Sequence, residues 1–144
     1  MIAASSVTAL DPERIHEIFL IEHLNSAGVY AVKVYMMGIP VTVTVDDYLP
    51  FWQGTQASLV YASKSKDDGL WMPILEKAAA KLFGNYEVLV GGWMGPAIQM
   101  LTGAPYFNID HSDKSADELW DEIDAQIRAG NMMTCASYAL TSSD

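Results

Sequence analysis

Between Val41 and Val45 valine alternates strictly with threonine, and just upstream residues 29–36 read Val-Tyr-Ala-Val-Lys-Val-Tyr-Met. β-Branched and aromatic residues in such runs specify strands, and the Val/Thr alternation gives the second strand one buried and one wet face. The connection Met37-Gly38-Ile39-Pro40 is short and contains glycine, so an antiparallel hairpin is expected.

The rest of the chain reads mainly as helices. Ile2 to Leu10 is small and apolar with no polar face, which suits a helical segment buried on all sides. Asp11-Pro12-Glu13 then supplies an N-cap, a proline at the first helical position and an acid where the helix dipole favours it. Ile15, Ile18, Phe19 and Glu22 follow at helical spacing, toward an end near Asn25-Ser26-Ala27-Gly28. Leu59 to Ala62 suggests a short strand before a polar, exposed loop from Ser63 to Gly69.

Trp71 to Phe83 is a helix with Pro73 in its first turn, an apolar stripe of Ile74, Leu75, Ala78 and Leu82, and Gly84 as its stop. Gly91 to Pro96 is turn material, followed by a short helical stretch through Leu101 that Gly103 and Pro105 close. Ser115 to Ala129 is a further helix, opened by a Ser115/Glu118 capping box and closed by Gly130. Met132 to Leu140 is expected as a last strand that buries Cys135. With no repeat and no long linker, the pattern is α+β in one compact unit rather than alternating βαβ.

Composition narrows the function. Eight Lys+Arg against 18 Asp+Glu give a net charge of −10, which opposes sequence-independent nucleic-acid binding. The single cysteine allows no intrachain disulfide and suits a reducing, cytoplasmic setting. No basic residue precedes Arg14, as a signal peptide would require, and no apolar run reaches the roughly 18–20 residues of a membrane span.

Catalytic candidates are few. Cys135 inside a strand, away from a helix start, is expected to be inert core. His16 and His23, seven residues apart, would share one helix face but lack a third metal ligand. Asp110-His111-Ser112-Asp113 holds the residue types of a serine triad, but neighbours cannot converge in that way, so it reads as a turn. The acids Asp110, Asp113, Asp117, Glu118, Asp121, Glu122 and Asp124 do not have calcium-loop spacing and read as a solvated helix face. Gly91-Gly92 is not followed by the Lys-Ser/Thr of a phosphate loop.

A resemblance goes further. Val45-Asp46-Asp47-Tyr48-Leu49-Pro50, the helix Leu70-Trp71-Met72-Pro73-Ile74-Leu75-Glu76-Lys77-Ala78, then Asn85-Tyr86-Glu87, Gly91-Gly92 and Thr102-Gly103, occur in the order and spacing of the calpain catalytic domain. Asp11 to Ile15, Ala27 to Tyr30 and Gly130 to Cys135 extend the likeness over nearly the whole chain. The chain thus resembles papain-like, calpain-type cysteine endopeptidases, mainly their first catalytic subdomain and the start of the second.

By that register the nucleophilic cysteine belongs about two positions before Met1, the oxyanion-hole glutamine lies further upstream, and the histidine and asparagine lie after Asp144. The resemblance therefore implies no catalytic residue within residues 1–144 and assigns Cys135 to a non-catalytic position of the family's late strand. It implies a substrate-binding role for Gly91 and Gly92, where the missing side chains let an extended peptide lie against the backbone. Trp93, Met94 and Gly95 would line the cleft rim, where the family usually has small polar residues. Gly69 stands where calcium-regulated members carry a glutamate, so a calcium site there would be lost or remade from Asp67 or Asp68. No cofactor is expected within the chain, although calcium is compatible with a longer protein. The two functions implied are part of an intracellular endopeptidase acting on protein or peptide substrates, and a non-catalytic calpain-like module serving a protein partner in a larger assembly.

Overall fold

A computed structural model of the chain describes residues 1–21, 23–54, 58–62, 64–65 and 68–136. Its contacts divide the chain into two compact units, Met1–Phe107 and Asn108–Asp144. The first contains α1 (Ile2–Thr8), α2 (Pro12–Ile18), β1 (Val29–Met36), β2 (Ile39–Asp46), α3 (Trp71–Phe83) and α4 (Met94–Thr102), and the second contains α5 (Ala116–Arg128). The architecture is α+β.

β1 and β2 form the antiparallel hairpin, with Val32 opposite Val43 and Tyr30 opposite Val45. The turn is tighter than the sequence suggests, since Ile39 and Pro40 already pair with Met36 and Tyr35. Met37 and Gly38 both take positive φ, 50° and 81°, the backbone hand that matches strand twist in a two-residue turn. Val43 and Val45 are buried while Thr42 and Thr44 are exposed, as the alternation requires. α3 packs against β2 and α4 against β1, and α1 rests on α4. Val32, Val34, Ile74, Leu75, Ala78, Ile98 and Leu101 make up much of the resulting core.

α1 is not buried on all sides. Ala4, Ser5 and Thr8 face inward, whereas Ile2 and Leu10 are 62% and 82% exposed. Small residues let α1 approach α4 closely, and the short helix has only one partnered face. α2 ends at Ile18, well before Asn25, because the chain from Phe19 is captured by β1: Phe19 bridges Val32, and the Leu20 N–H donates to the Ala31 carbonyl at 2.8 Å. Glu22, expected on the helix stripe, lies outside the described residues.

Phe51 and Leu59 form only an isolated bridge, so Leu59 to Ala62 is not a regular strand. Of the loop that follows, residues 63, 66 and 67 lie outside the description. α3 has the expected limits, and Gly84 ends it at φ 115°. α4 starts at Met94, three residues earlier than a Gly91–Pro96 turn would allow, because Pro96 is tolerated in a first turn that needs no N–H donors.

In the second unit, the Ser115 side chain accepts from the Glu118 N–H while the Glu118 carboxylate accepts from the Ser115 N–H, the reciprocal box expected. At the other end the Gly130 N–H donates to Ile127 and the Asn131 N–H to Gln126, with Gly130 at φ 74°. Residues 132–136 are irregular, not a strand, and 137–140 lie outside the description. Cys135 is accordingly exposed rather than core.

Candidate functional site

Gly91 and Gly92 lie in the segment that joins α3 to α4, and the first part of that segment is fastened by several contacts. Gly84 turns the chain out of α3, the Asn85 side chain accepts from the Val88 N–H at 3.1 Å, and a single 3-10 turn follows at Glu87–Leu89. The Tyr86 ring, at the start of that turn, stacks on Tyr61 with centroids 4.4 Å apart and planes 4° from parallel. The backbone N–H of Ala62 donates to the Glu76 carboxylate at 2.8 Å, fastening the Tyr61 segment onto α3. A shallow apolar recess, with room for little more than a water molecule, borders this joint between Leu49, Pro50, Leu59, Pro73 and the two rings. Burial of the Tyr86 hydroxyl, reinforced by the negative charge of Glu76, pushes its pKa up to about 12.

Lys77, one residue past Glu76, donates to the Asp46 carboxylate and to the Tyr48 carbonyl, so α3 also holds the end of β2. The Lys77 hydrogen bond keeps the Asp46 carboxyl below the usual aspartate range.

Further along the segment the backbone turns into the left-handed region at both glycines, φ 84° at Gly91 and 111° at Gly92, and a Cβ at either would meet no atom within 4 Å. Side chains are excluded there by conformation rather than by crowding. Neither glycine makes a backbone hydrogen bond among the described residues. Trp93 caps α4 from an extended conformation and is 67% exposed, and Met94 is half-buried. Gly95 differs from the other two: a Cβ there would run into the Tyr106 ring, so this glycine serves packing.

The remaining candidates do not converge on a reacting centre. α2 ends before His23, so His16 and His23 do not share a helix. His111, Ser112 and Asp113 form one 3-10 turn capped by Asp110, whose carboxylate accepts the Ser112 N–H at 2.9 Å and is held at a lowered pKa by it. Several acids of the cluster have partners: Glu122 accepts from Lys114 at 3.1 Å and from Gln126 at 2.8 Å, and Asp124 pairs with Arg128 at 2.8 Å. Among the described residues no three acidic, histidine or cysteine side chains form a metal site. At the loop by Gly69, the Gly69 carbonyl accepts from Ser65 and Asp68 pairs with Lys64 at 3.6 Å, while Asp67 lies outside the described residues. No helix of the described residues is long and apolar enough to cross a membrane.

Comparison with known proteins accounts for this arrangement. The model of the calpain family cysteine proteases matches residues 1–144, and the chain belongs to that family. It is 35% identical over 126 residues to the calpain-type cysteine protease DEK1 of Zea mays, covering 83% of this chain and 6% of that protein. It is 32% identical over 114 residues to Calpain-B of Drosophila melanogaster, covering 78% and 12%, and 42% identical over 77 residues to Calpain-12 of Mus musculus, covering 54% and 10%. The chain therefore spans only a small part of the length of these relatives.

The Tyr61–Tyr86 and Ala62–Glu76 contacts were not visible as a site in the sequence. The one hint was an acid, Glu76, beside the apolar stripe of α3.

Proposed function

We propose that the chain is a portion of a calpain-type cytoplasmic cysteine endopeptidase. It supplies the substrate-binding strip Gly91–Gly92 and the scaffold beneath it, while the reacting cysteine, histidine and asparagine belong to other parts of the polypeptide. The family match over all 144 residues carries this reading. The open, unpaired glycine backbone supports the peptide-binding role. In the intact enzyme a thiolate attacks the peptide carbonyl, histidine protonates the leaving amine and backbone donors stabilise the oxyanion. Cys135, exposed on irregular backbone and not at a helix N-terminus, does not take the nucleophile's place. The chain by itself does not hydrolyse peptides. We assign no calcium-dependent step to the loop at Gly69.

The alternative is a non-catalytic calpain-like module in a larger assembly. Trp93 at the rim, where the family usually has a small polar residue, favours it.

Peptide mapping of the natural polypeptide, followed by a fluorogenic peptide assay on that full-length protein with and without a thiol-directed epoxide, separates the two. A cysteine shortly upstream of the α1 helix and epoxide-sensitive cleavage are expected. An upstream residue other than cysteine, with no cleavage, would establish the non-catalytic module.

A further inference from the structure

We infer that Asp68–Gly69 is a modification site, at which the aspartate isomerises to isoaspartate with water as the only co-reactant and so presents the α-carboxylate that an isoaspartyl methyltransferase recognises. The step is an acyl transfer within the backbone. The amide nitrogen of Gly69 attacks Cγ of Asp68, the carboxyl OH leaves with the amide proton as water, and a five-membered succinimide forms. Water then reopens the ring. Cleavage of the new N–Cγ bond returns aspartate, whereas cleavage between the Gly69 nitrogen and the main-chain carbonyl carbon of residue 68 leaves the chain running through Cβ and Cγ. One water is lost and one regained, so mass and oxidation state do not change.

Ring closure is hindered by a side chain on the following residue, and glycine has none. Asp68–Gly69 is the only place in the sequence where aspartate or asparagine precedes glycine. The structure leaves both reacting groups free to meet. The Asp68 side chain is 89% exposed, and among the described residues the Gly69 N–H donates no hydrogen bond that closure would break. The ion pair of Asp68 with Lys64, 3.6 Å long and in water, restrains the carboxyl little. Other sites of the same chemistry are tied. The Asn25 amide donates to the His23 and Val29 carbonyls and accepts from the Val29 N–H, the Asp46 carboxylate is held by Lys77, and that of Asp110 by Ser112.

Backbone conformation points the same way. Asp68 stands at φ 62°, in the left-handed region that residues with a Cβ occupy at a cost, and re-routing the chain through Cγ releases it. The change would be felt locally. The Asp68 N–H donates to the Ser65 carbonyl and the Ser65 N–H to the Gly69 carbonyl, both at 3.0 Å, and one residue on the Leu70 carbonyl accepts the Ile74 N–H in the first turn of α3. An extra main-chain carbon between residues 68 and 69 lengthens the loop that the two Ser65 bonds close, directly before that helix.

The test incubates the full chain at neutral pH and physiological temperature, native and in urea, and follows the tryptic peptide Asp67–Lys77 with time. A second peak of unchanged mass should grow in the native sample at a rate comparable with that in urea. Backbone fragmentation should place the isomer at residue 68, and isoaspartyl methyltransferase with labelled S-adenosylmethionine should methylate the aged chain and not the fresh one. Asp68→Glu, which would need a six-membered ring, should abolish the second peak, and Gly69→Val should slow its growth several-fold, in urea as well, where folding plays no part. Growth in urea with none in the native chain would show that the fold protects the bond and overturn the proposal. So would an isomer located at Asp67, or a second peak that persists in Asp68→Glu.

Discussion

The backbone N–H of Ala62 donates to the Glu76 carboxylate at 2.8 Å across 14 residues of chain, and both residues are buried, at 4% and 7% exposure. A buried amide that loses its acceptor keeps its desolvation cost. Glu76→Ala should therefore destabilise the fold by about 1–3 kcal/mol in urea or thermal unfolding, while Glu76→Gln, which retains an acceptor oxygen, should lose less. Equal losses in the two variants would mean that the hydrogen bond is not what Glu76 contributes.

Tyr86 makes stability fall in strong base. Its phenol ionises near 12 in the folded protein, against about 10 for an ordinary tyrosine, because burial and the nearby Glu76 disfavour the phenolate. Between those values the unfolded chain releases the proton and the folded chain holds it, so the contribution is complete below pH 10 and is lost as pH rises toward 12. Absorbance titration should show a tyrosine ionising late in the wild type and no such late component in Tyr86→Phe.

Gly103 closes α4 at φ 73°, and a Cβ there would stand 2.7 Å from Cδ1 of Tyr35. Backbone strain and the ring clash act together, so Gly103→Ala should cost about 2 kcal/mol. Adding Tyr35→Ala should not recover the part due to positive φ. A thermal-melt cycle of the two single variants and the double variant measures each share.

Cys135, being exposed, should react with a small disulfide reagent in the native protein as fast as in the unfolded chain. Cys135→Ala should change stability by less than about 0.5 kcal/mol. Thiol reaction that requires denaturant would restore the buried strand suggested by the sequence.

Local signals were legible wherever cause and effect lie within a few residues. The hairpin followed from alternation, α3 from its stripe and Gly84, and α5 from the Ser115/Glu118 box and Gly130. The glycine pair could be picked out as well, although nothing in its composition distinguished the open conformation of Gly91 and Gly92 from the packed one of Gly95 beneath Tyr106. Two departures from the local pattern share one origin: α2 stops at Ile18 and Cys135 stands exposed on irregular backbone, because periodicity describes a segment's preference and not its partners.

The sequence by itself determined the helices with caps, the two strands of the hairpin and the family, all of which rest on residue order and short-range spacing. Only the tertiary structure decided that β1 captures Phe19 and Leu20 from α2, that Glu76 reaches Ala62, and that Tyr61 and Tyr86 stack. These contacts join residues 11 to 25 positions apart. At such separations the outcome depends on which buried donor, acceptor or ring finds its partner once the chain has folded, and no local pattern encodes that choice.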